Sequence, residues 1–237
     1  MKETPFGEST GNFLHWLSGW RASLAEMPAP EAFGKPDRTA VMSVDLIKGF
    51  CYEGPLASPR VAAIVPAVVT LFERAYGHGI ERFVLFQDTH DEEAPEFDAF
   101  GPHCVAGSTE SETIDELAAL PFANLFTVMP KNSLSAAIGT GLDGWLASNA
   151  DVDRFIVVGD CTDLCVYQLA MYLRLTANTT GMERSVIVPA DCVDTYDMPV
   201  GRAAGLGALP HDGDLLHTLF LYHMALNGIE VVAGIAG

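Results

Sequence analysis

The segment from Arg154 to Val166, RFIVVGDCTDLCV, joins a β-branched apolar run to the start of a helical pattern. It places Cys165 where a predicted strand gives way to a predicted helix. Backbone N–H groups in the first turn of a helix lack intrahelical partners, and the helix dipole is positive there. Both features favour a thiolate and can hold an oxyanion, so the segment predicts a nucleophilic cysteine. The alternative for a lone cysteine in such a pattern is a buried, inert thiol.

The alternation of apolar runs and helical patterns extends along the chain. It predicts an α/β fold of three layers, α/β/α, with a six-stranded, mainly parallel sheet of Rossmann-like type. The predicted strands cover 39–44, 83–86, 125–129, 154–158, 185–188 and 230–232, and the predicted helices cover 66–76, 111–117, 141–148, 163–175 and 213–227. Ligands of such sheets bind at the carboxyl ends of the strands, so the residues after each run are the candidates for a site.

Residues 1–38 differ from the rest of the chain. An amphipathic stretch over 13–27 precedes a segment, 28–36, with Gly and Pro near its ends. We therefore expect an N-terminal helical extension and linker over 1–38, followed by one α/β domain over 39–237. The aromatic face of the helix is expected to pack on this domain or on a neighbouring subunit.

Composition excludes several classes of partner. The chain has 13 basic and 31 acidic residues and a formal charge of −18, which argues against nucleic acids and anionic membrane surfaces as partners. No apolar run approaches the roughly 20 residues that span a bilayer, and the start lacks the form of a secretory signal. The chain has five cysteines, an odd number without the spacing of small disulfide-stabilised domains, which indicates reduced thiols. These features predict a cytoplasmic protein.

Two charged residues follow predicted strands and suit acid–base chemistry. Asp45, after the first run, could take a proton from the thiol and return it to a leaving amine, or it could cap the next turn. Lys131, after the third run, could hold Asp45 and a thiolate in place, or it could be an ordinary surface lysine. The coincidence of Asp, Lys and Cys at strand ends favours the catalytic interpretation.

The loop after the second predicted strand contains candidate metal ligands. Asp88 and His90 project to the same side of an extended chain, and a loop can bring Glu96 and His103 beside them. Two imidazoles with one or two carboxylates suit Zn²⁺, Fe²⁺ or Mn²⁺. Taken alone, an Asp-x-His pattern in a polar loop is more often a solvated turn than a metal site.

Three segments resemble the isochorismatase-like cysteine hydrolases, and among them the nicotinamidase (pyrazinamidase) branch. They are Val44-Asp45 with Phe50 five residues on, Lys131 followed after one residue by Ser-Leu-Ser-Ala-Ala, and Thr162-Asp163-Leu164-Cys165-Val166. The resemblance implies a catalytic set of Asp45, Lys131 and Cys165. It also implies an oxyanion hole made by the backbone N–H groups of Cys161 and Cys165, with a cis peptide between Asp160 and Cys161.

The same resemblance implies a metal site and an aromatic pocket. The ligands would be Asp88, His90 and His103, with Glu96 as the fourth, and they would hold one divalent ion per chain: zinc, with iron or manganese as alternatives. Phe50 and Phe100 would form two walls around a flat pyridine ring, whose nitrogen would face the metal. The segment Phe100-Gly101 stands where relatives carry Trp-Pro.

The function implied is hydrolysis of nicotinamide to nicotinate and ammonia through a cysteine thioester, a step of NAD salvage. Two alternatives remain: another amidase of the family that acts on an acyclic or carbamoyl amide, and a binding protein without activity on the same scaffold. The expected partner is a small carboxamide. Since relatives are commonly oligomers, a homo-oligomer is also expected.

Overall fold

A parallel β-sheet forms the centre of the computed structural model, which describes residues 6–237; residues 1–5 of the predicted extension lie outside the described part. The strands are β1 (Met27–Pro28), β2 (Thr39–Val44), β3 (Arg82–Asp88), β4 (Phe126–Lys131), β5 (Arg154–Asp160), β6 (Ser185–Pro189), β7 (Val193–Asp194), β8 (Glu230–Val232) and β9 (Ile235–Ala236). The helices are α1 (Glu8–Ala22), α2 (Ala29–Phe33), α3 (Lys48–Cys51), α4 (Pro59–Gly77), α5 (Phe97–Phe100), α6 (Asp115–Ala118), α7 (Leu142–Ser148), α8 (Cys165–Thr180), α9 (Val200–Leu206) and α10 (Gly213–Leu226).

The main sheet has the strand order β4-β3-β2-β5-β6-β8, and all of its neighbouring strands are parallel. All six residues of β2 are buried, because helices cover both faces of the sheet. Side chains on one face pack with α4, and those on the other face pack with α8 and α10. The predicted three-layer α/β/α fold is therefore confirmed. Among residues 6–237, no helix has the length and apolar character needed to cross a bilayer.

Each of the six predicted strands is present in the sheet, with ends shifted by up to two residues. The two-residue strand β7, which sequence analysis did not predict, pairs with β5 and brings the main sheet to seven strands. Strands this short leave little periodic signal.

Several predicted helices differ from the structure by five residues or more: α1 covers Glu8–Ala22 instead of 13–27, and α8 ends at Thr180 instead of residue 175. Helix α4 begins at Pro59 instead of residue 66, because Pro59 occupies the first turn and Pro66 is tolerated inside the helix. The helix predicted over 111–117 was wrong. Residues 109–111 form a 3₁₀ turn, Thr113 bridges to Ile47 in extended conformation, and only the single turn α6 follows.

The N-terminal segment packs against the rest of the chain. Trp16 and Trp20 of α1 each lie 5.4 Å, between ring centroids, from Tyr222 of α10. The stretch predicted as a linker contains β1 and α2, and β1 pairs in parallel with β9 at the C-terminus. The domain boundary at residue 38 stays a prediction.

Strand order creates a crevice between β2 and β5. The chain runs from β2 outward to β3 and β4, then returns to β5 on the other side of β2. Loops that leave two neighbouring strands in opposite directions open a crevice at the carboxyl edge of the sheet. Asp45 directly follows β2, and Cys165 lies at the end of the loop after β5, so both residues border this crevice.

Gly159 allows β5 to approach β2 closely at this edge. It has φ of 112°, and an added Cβ would lie 2.0 Å from the carbonyl oxygen of Val44. A side chain at this position would therefore push β2 and β5 apart beside the crevice, whereas glycine avoids both the clash and the backbone strain.

We expect Gly159→Ala to lower the free energy of unfolding by about 3 kcal/mol or more, since a clash with backbone adds to an unfavourable φ. The matched control is Gly144→Ala in α7, where no heavy atom lies within 4 Å of the added Cβ. That change should leave stability equal or raise it by up to about 1 kcal/mol, because alanine is the better helix former. Urea denaturation measures both; equal stability of Gly159→Ala and the parent would contradict the argument.

Candidate active site

A buried ammonium group forms the centre of the site. The Nζ atom of Lys131 lies 2.7 Å from Asp45 Oδ2 and 2.5 Å from Asp88 Oδ1. It also donates to the carbonyl oxygen of Ser133 at 3.2 Å and lies 3.6 Å from Cys165 Sγ. The side chain of Lys131 is fully buried, so these contacts replace its hydration. The structure thus brings together all three residues of the predicted catalytic set.

The backbone fixes both carboxylates that face Lys131. Asp45 has φ of 55°, which is uncommon for a residue other than glycine, and its N–H donates to the carbonyl oxygen of Phe86 at 2.8 Å. Its Oδ1 accepts the backbone N–H of Asp88 at 2.8 Å, which leaves Oδ2 toward Lys131. Asp88 and Lys131 are direct partners in the register of β3 and β4. Adjacent strand ends therefore hold the three charges together.

Burial and mutual charge set the ionisation of the cluster. Burial, reinforced by the charge of Asp88, raises the pKa of Asp45 to about 7, although Lys131 opposes the shift. Burial also favours neutral Lys131, but Asp45, Cys165 and Asp88 together hold its pKa well above the ordinary value. The pKa of Asp88 is lowered, because Lys131 and the two neighbouring histidines outweigh burial.

The thiol of Cys165 is neutral at rest. Burial raises its pKa well above the ordinary value, and the charges of Asp45 and Asp88 raise it further against the effect of Lys131. A position at the start of a helix favours the thiolate, as sequence analysis expected, but here burial and two carboxylates outweigh it. A base beside the thiol is therefore needed for nucleophilic attack.

The loop between β5 and α8, residues Asp160–Cys165, is called here the oxyanion loop. The peptide bond from Asp160 to Cys161 is cis, as the resemblance implies. Cys165 is the first residue of α8, so its backbone N–H has no intrahelical acceptor. The carbonyl oxygen of Cys161 accepts the N–H groups of Leu164 and Val166, at 3.0 and 3.2 Å, and the loop is thereby folded back onto the helix start.

Four potential metal ligands meet beside the catalytic set. One donor atom from each of Asp88, His90, Glu96 and His103 lies within 4.8 Å of the others. The Nε2 atom of His90 is 3.5 Å from Asp88 Oδ1 and 4.0 Å from Glu96 Oε1, while His103 Nε2 is 3.8 Å from Asp88 Oδ2. His90 Nε2 and Glu96 Oε1 are buried and have no hydrogen-bond partner among the described residues. Two orphaned buried donors in a set of this composition fit a divalent cation.

Two residues that sequence analysis missed orient the histidines. The side-chain oxygen of Asn132 lies 3.0 Å from His90 Nδ1, and the carbonyl oxygen of Gly101 lies 2.8 Å from His103 Nδ1. Each histidine therefore has its Nδ1 occupied and its Nε2 free to ligate, which is the usual arrangement at metal sites. Asn132 could have been noted from its place directly after Lys131 at a strand end.

Aromatic rings surround His103. The ring centroids of Phe50 and Phe100 lie 5.8 and 6.4 Å from that of His103, so both predicted pocket residues are near the metal ligands. Phe97, which sequence analysis missed, is closer, at 5.5 Å from His103 and 5.4 Å from His90. The single turn α5 carries both Phe97 and Phe100, and all three phenylalanines are partly buried. A flat, apolar ligand suits such a lining.

Asp160 is a further buried acid that sequence analysis did not assign to the site. It is 1% exposed, its Oδ1 has no hydrogen-bond partner among the described residues, and Cys161 Sγ donates to its Oδ2 at 3.6 Å. Burial and the nearby charge of Asp45 raise its pKa well above the ordinary value and so favour the neutral acid.

Comparison with known proteins agrees with this geometry. Residues 39–213 match the isochorismatase domain family. Nicotinamidase 1 of Arabidopsis thaliana is 27% identical over 225 residues, which cover 87% of this chain and 90% of that protein.

Two solved structures share the fold. N-carbamoylsarcosine amidase from Thermoplasma acidophilum is 25% identical, with a TM-score of 0.63, over 82% of this chain and 95% of that chain. Pyrazinamidase of Pyrococcus horikoshii, solved in complex with zinc, is 22% identical, with a TM-score of 0.62, over 82% and 98%. Because the family match covers most of the chain, from β2 through the start of α10, the chain belongs to the isochorismatase family of hydrolases.

Proposed function

We propose that this protein is a metal-dependent cysteine amidohydrolase that converts nicotinamide to nicotinate and ammonia. The observation that carries the proposal is the set of contacts of Lys131. Its ammonium group touches the nucleophile Cys165, the base Asp45 and the potential metal ligand Asp88 at once. A substrate held by the metal cluster would thus meet the nucleophile beside it. The likeness to Nicotinamidase 1 of Arabidopsis thaliana supports the same substrate.

In the acylation half of the reaction, Asp45 accepts the proton of the Cys165 thiol as sulfur attacks the carboxamide carbon. The carbonyl oxygen becomes an oxyanion, which the backbone N–H groups of Cys161 and Cys165 stabilise. Asp45 then gives the proton to the leaving nitrogen, the C–N bond breaks, and ammonia departs from the thioester. Lys131 keeps its proton throughout and balances the charge that moves between Asp45 and sulfur.

In the deacylation half, Asp45 takes a proton from water, whose oxygen attacks the thioester carbon. The same N–H groups hold the second oxyanion. When the C–S bond breaks, sulfur recovers a proton and nicotinate is released. The balance is one amide and one water consumed, and one carboxylic acid and one ammonia formed. A single base can serve both halves because each returns it to its starting charge.

Asp88, His90, Glu96 and His103 would hold the divalent ion, and zinc fits their nitrogen and oxygen donors best, with iron and manganese as alternatives. A bound ion would supply a Lewis acid that coordinates an electron-pair donor of the substrate, such as a pyridine nitrogen. Phe50, Phe97 and Phe100 would hold the ring beside it. The zinc complex of the Pyrococcus horikoshii pyrazinamidase supports the metal part of the proposal.

An amidase for carbamoyl substrates is the second candidate, favoured by the likeness to N-carbamoylsarcosine amidase at 25% identity. Such a substrate needs the catalytic set but gives no reason for two buried, unpartnered ligand atoms on His90 and Glu96. The cluster therefore favours the nicotinamide reaction. Assembly into a homo-oligomer, a role in NAD salvage and a cytoplasmic location stay predictions.

We expect the purified protein to release ammonia from nicotinamide and Cys165→Ala to lower kcat by about 10⁴-fold or more, because the proposed thioester forms on the sulfur that this change removes. A coupled ammonia assay measures both, with N-carbamoylsarcosine as the competing substrate. Undiminished turnover by Cys165→Ala would exclude the mechanism. Turnover of N-carbamoylsarcosine but not of nicotinamide would exclude the nicotinamide reaction and support the carbamoyl amidase instead.

We expect His90→Ala to lose most of its bound divalent metal and Asn132→Ala to bind it about 10–100-fold more weakly, since Asn132 only orients the ligand. Metal content after dialysis against zinc of fixed free concentration measures the effect. The control is His15→Ala, an exposed position on α1. Equal metal content in His90→Ala and in the control would remove His90 from the ligand set.

A further inference from the structure

Two histidines outside the catalytic set contact consecutive residues of the oxyanion loop. His217 belongs to α10, His211 lies two residues before the start of that helix, and each is 8% exposed. Their partners are Thr162 and Asp163, which lie between the two proposed oxyanion donors in the sequence. Nothing in the reaction steps above uses either histidine.

Thr162 is held at two atoms. Its hydroxyl lies 2.9 Å from Nδ1 of His217, and its backbone N–H donates to the carbonyl oxygen of Asp194 at 3.0 Å. Burial lowers the pKa of His217 to about 4, so the ring is neutral near pH 7 and one of its nitrogens remains an acceptor. Asp194 belongs to β7, which pairs with β5 at Gly159 and Asp160. One side of the loop is thus fixed to the strand and the helix that follow it.

Asp163 is held through His211, which in turn contacts Tyr196. Its Oδ2 lies 2.8 Å from His211 Nε2, and His211 Nδ1 lies 2.9 Å from the carbonyl oxygen of Tyr196. Both ring nitrogens of His211 therefore face acceptors. Burial favours neutral Asp163, but hydrogen bonds with His211 and Thr195 together outweigh it and lower the pKa of the carboxyl. The pair consequently joins a carboxylate to a donor that is itself fixed.

The ring of His211 has little freedom to move. It stacks on Tyr196 with centroids 3.9 Å apart, and its backbone exchanges two hydrogen bonds with Met198, at 2.7 and 2.8 Å. A buried, hydrogen-bonded and stacked ring is a rigid support for the loop on which it acts. Tyr196 and Met198 therefore hold His211, and His211 holds Asp163.

We infer that His211 and His217 are positioning residues that fix the oxyanion loop, so that the N–H groups of Cys161 and Cys165 point at the same oxygen. The inference rests on the proposed function. Neither histidine touches substrate in this role. An oxyanion hole must be formed before the reaction, and a displacement of about 1 Å can cost about 10²-fold in rate. The cis peptide and the helix start define the ends of this loop, and the two histidines hold its middle.

The kinetic test compares His211→Leu, which removes the donor to Asp163, with His211→Gln, whose side-chain amide can still donate. We expect His211→Leu to lower kcat about 10²-fold with KM changed less than about 3-fold, and His211→Gln to recover most of the loss. Bound metal and the rate of Cys165 alkylation by iodoacetamide should stay at the parent values, since neither requires an oxyanion hole. The matched control is His15→Gln on the exposed face of α1.

Hydrogen exchange tests the same inference without any assay of activity. In His211→Leu, and more in His211→Leu/His217→Leu, the hydrogen-bonded loop amides of Thr162 and Leu164 should exchange at least about 10-fold faster, while those of β5 and the last turns of α8 keep their rates. If the parent hydrolyses no carboxamide, the proposed function fails, but the exchange result still decides whether the histidines hold the loop.

Two results would overturn the inference. One is parent-like exchange at Thr162 and Leu164 in the doubly substituted protein. The other is a fall in kcat for His211→Leu that is accompanied by equal loss of metal and of thiol reactivity, which would indicate general damage to the fold. If His211→Leu does not fold, His217→Leu carries the exchange measurement, and loop exchange at the parent rate in that variant contradicts the inference.

Discussion

The buried charge cluster around Lys131 is the constraint on which the rest of the site depends. One ammonium group faces two carboxylates and a thiol, and all four side chains are nearly inaccessible to solvent. Removal of such ions from water costs several kcal/mol each, so the cluster is stable only if each charge keeps its partners at hydrogen-bond distance. Substitution of a single member leaves the others unpaired. The charge environment of Cys165 and the position of the potential metal ligand Asp88 therefore both depend on Lys131.

Parallel strands supply the rigidity that this cluster needs. Asp45, Asp88 and Lys131 stand at the carboxyl ends of three neighbouring strands, β2, β3 and β4, and Cys165 follows the fourth, β5. Backbone hydrogen bonds hold adjacent strands at about 4.8 Å, a spacing that lets Lys131, at the end of the edge strand β4, reach Asp88 on β3 and Asp45 on β2 beyond it. Gly159 permits the close contact of β2 with β5 that brings the thiol within reach. The crevice at the carboxyl edge of the sheet is consequently where the strand ends bring these four side chains together.

Support for the reacting groups comes from residues distant in the chain. Asn132 and Gly101 orient the imidazoles of His90 and His103, and the segment that begins at β7 reaches back to the oxyanion loop. Most of these contacts use a backbone carbonyl or a small polar side chain, which carries no periodic pattern. For this reason the sequence indicated the candidate catalytic and metal-binding groups, which the structure brings together, but not the groups that contact and orient them. Phe97 illustrates the same point, since only the turn of α5 brings it beside His90.

The sequence by itself determined the fold class, the position of each main strand and the candidate side chains for catalysis. Apolar runs of β-branched residues report burial on both faces of a sheet, and Asp45, Lys131 and Cys165 stand where such runs end. Only the tertiary structure decided the ionisation of Cys165, the orphaned atoms of the metal cluster and the contacts of His211 and His217. The physical reason is that local pattern governs secondary structure, whereas pKa values and hydrogen-bond partners depend on groups that folding alone brings together.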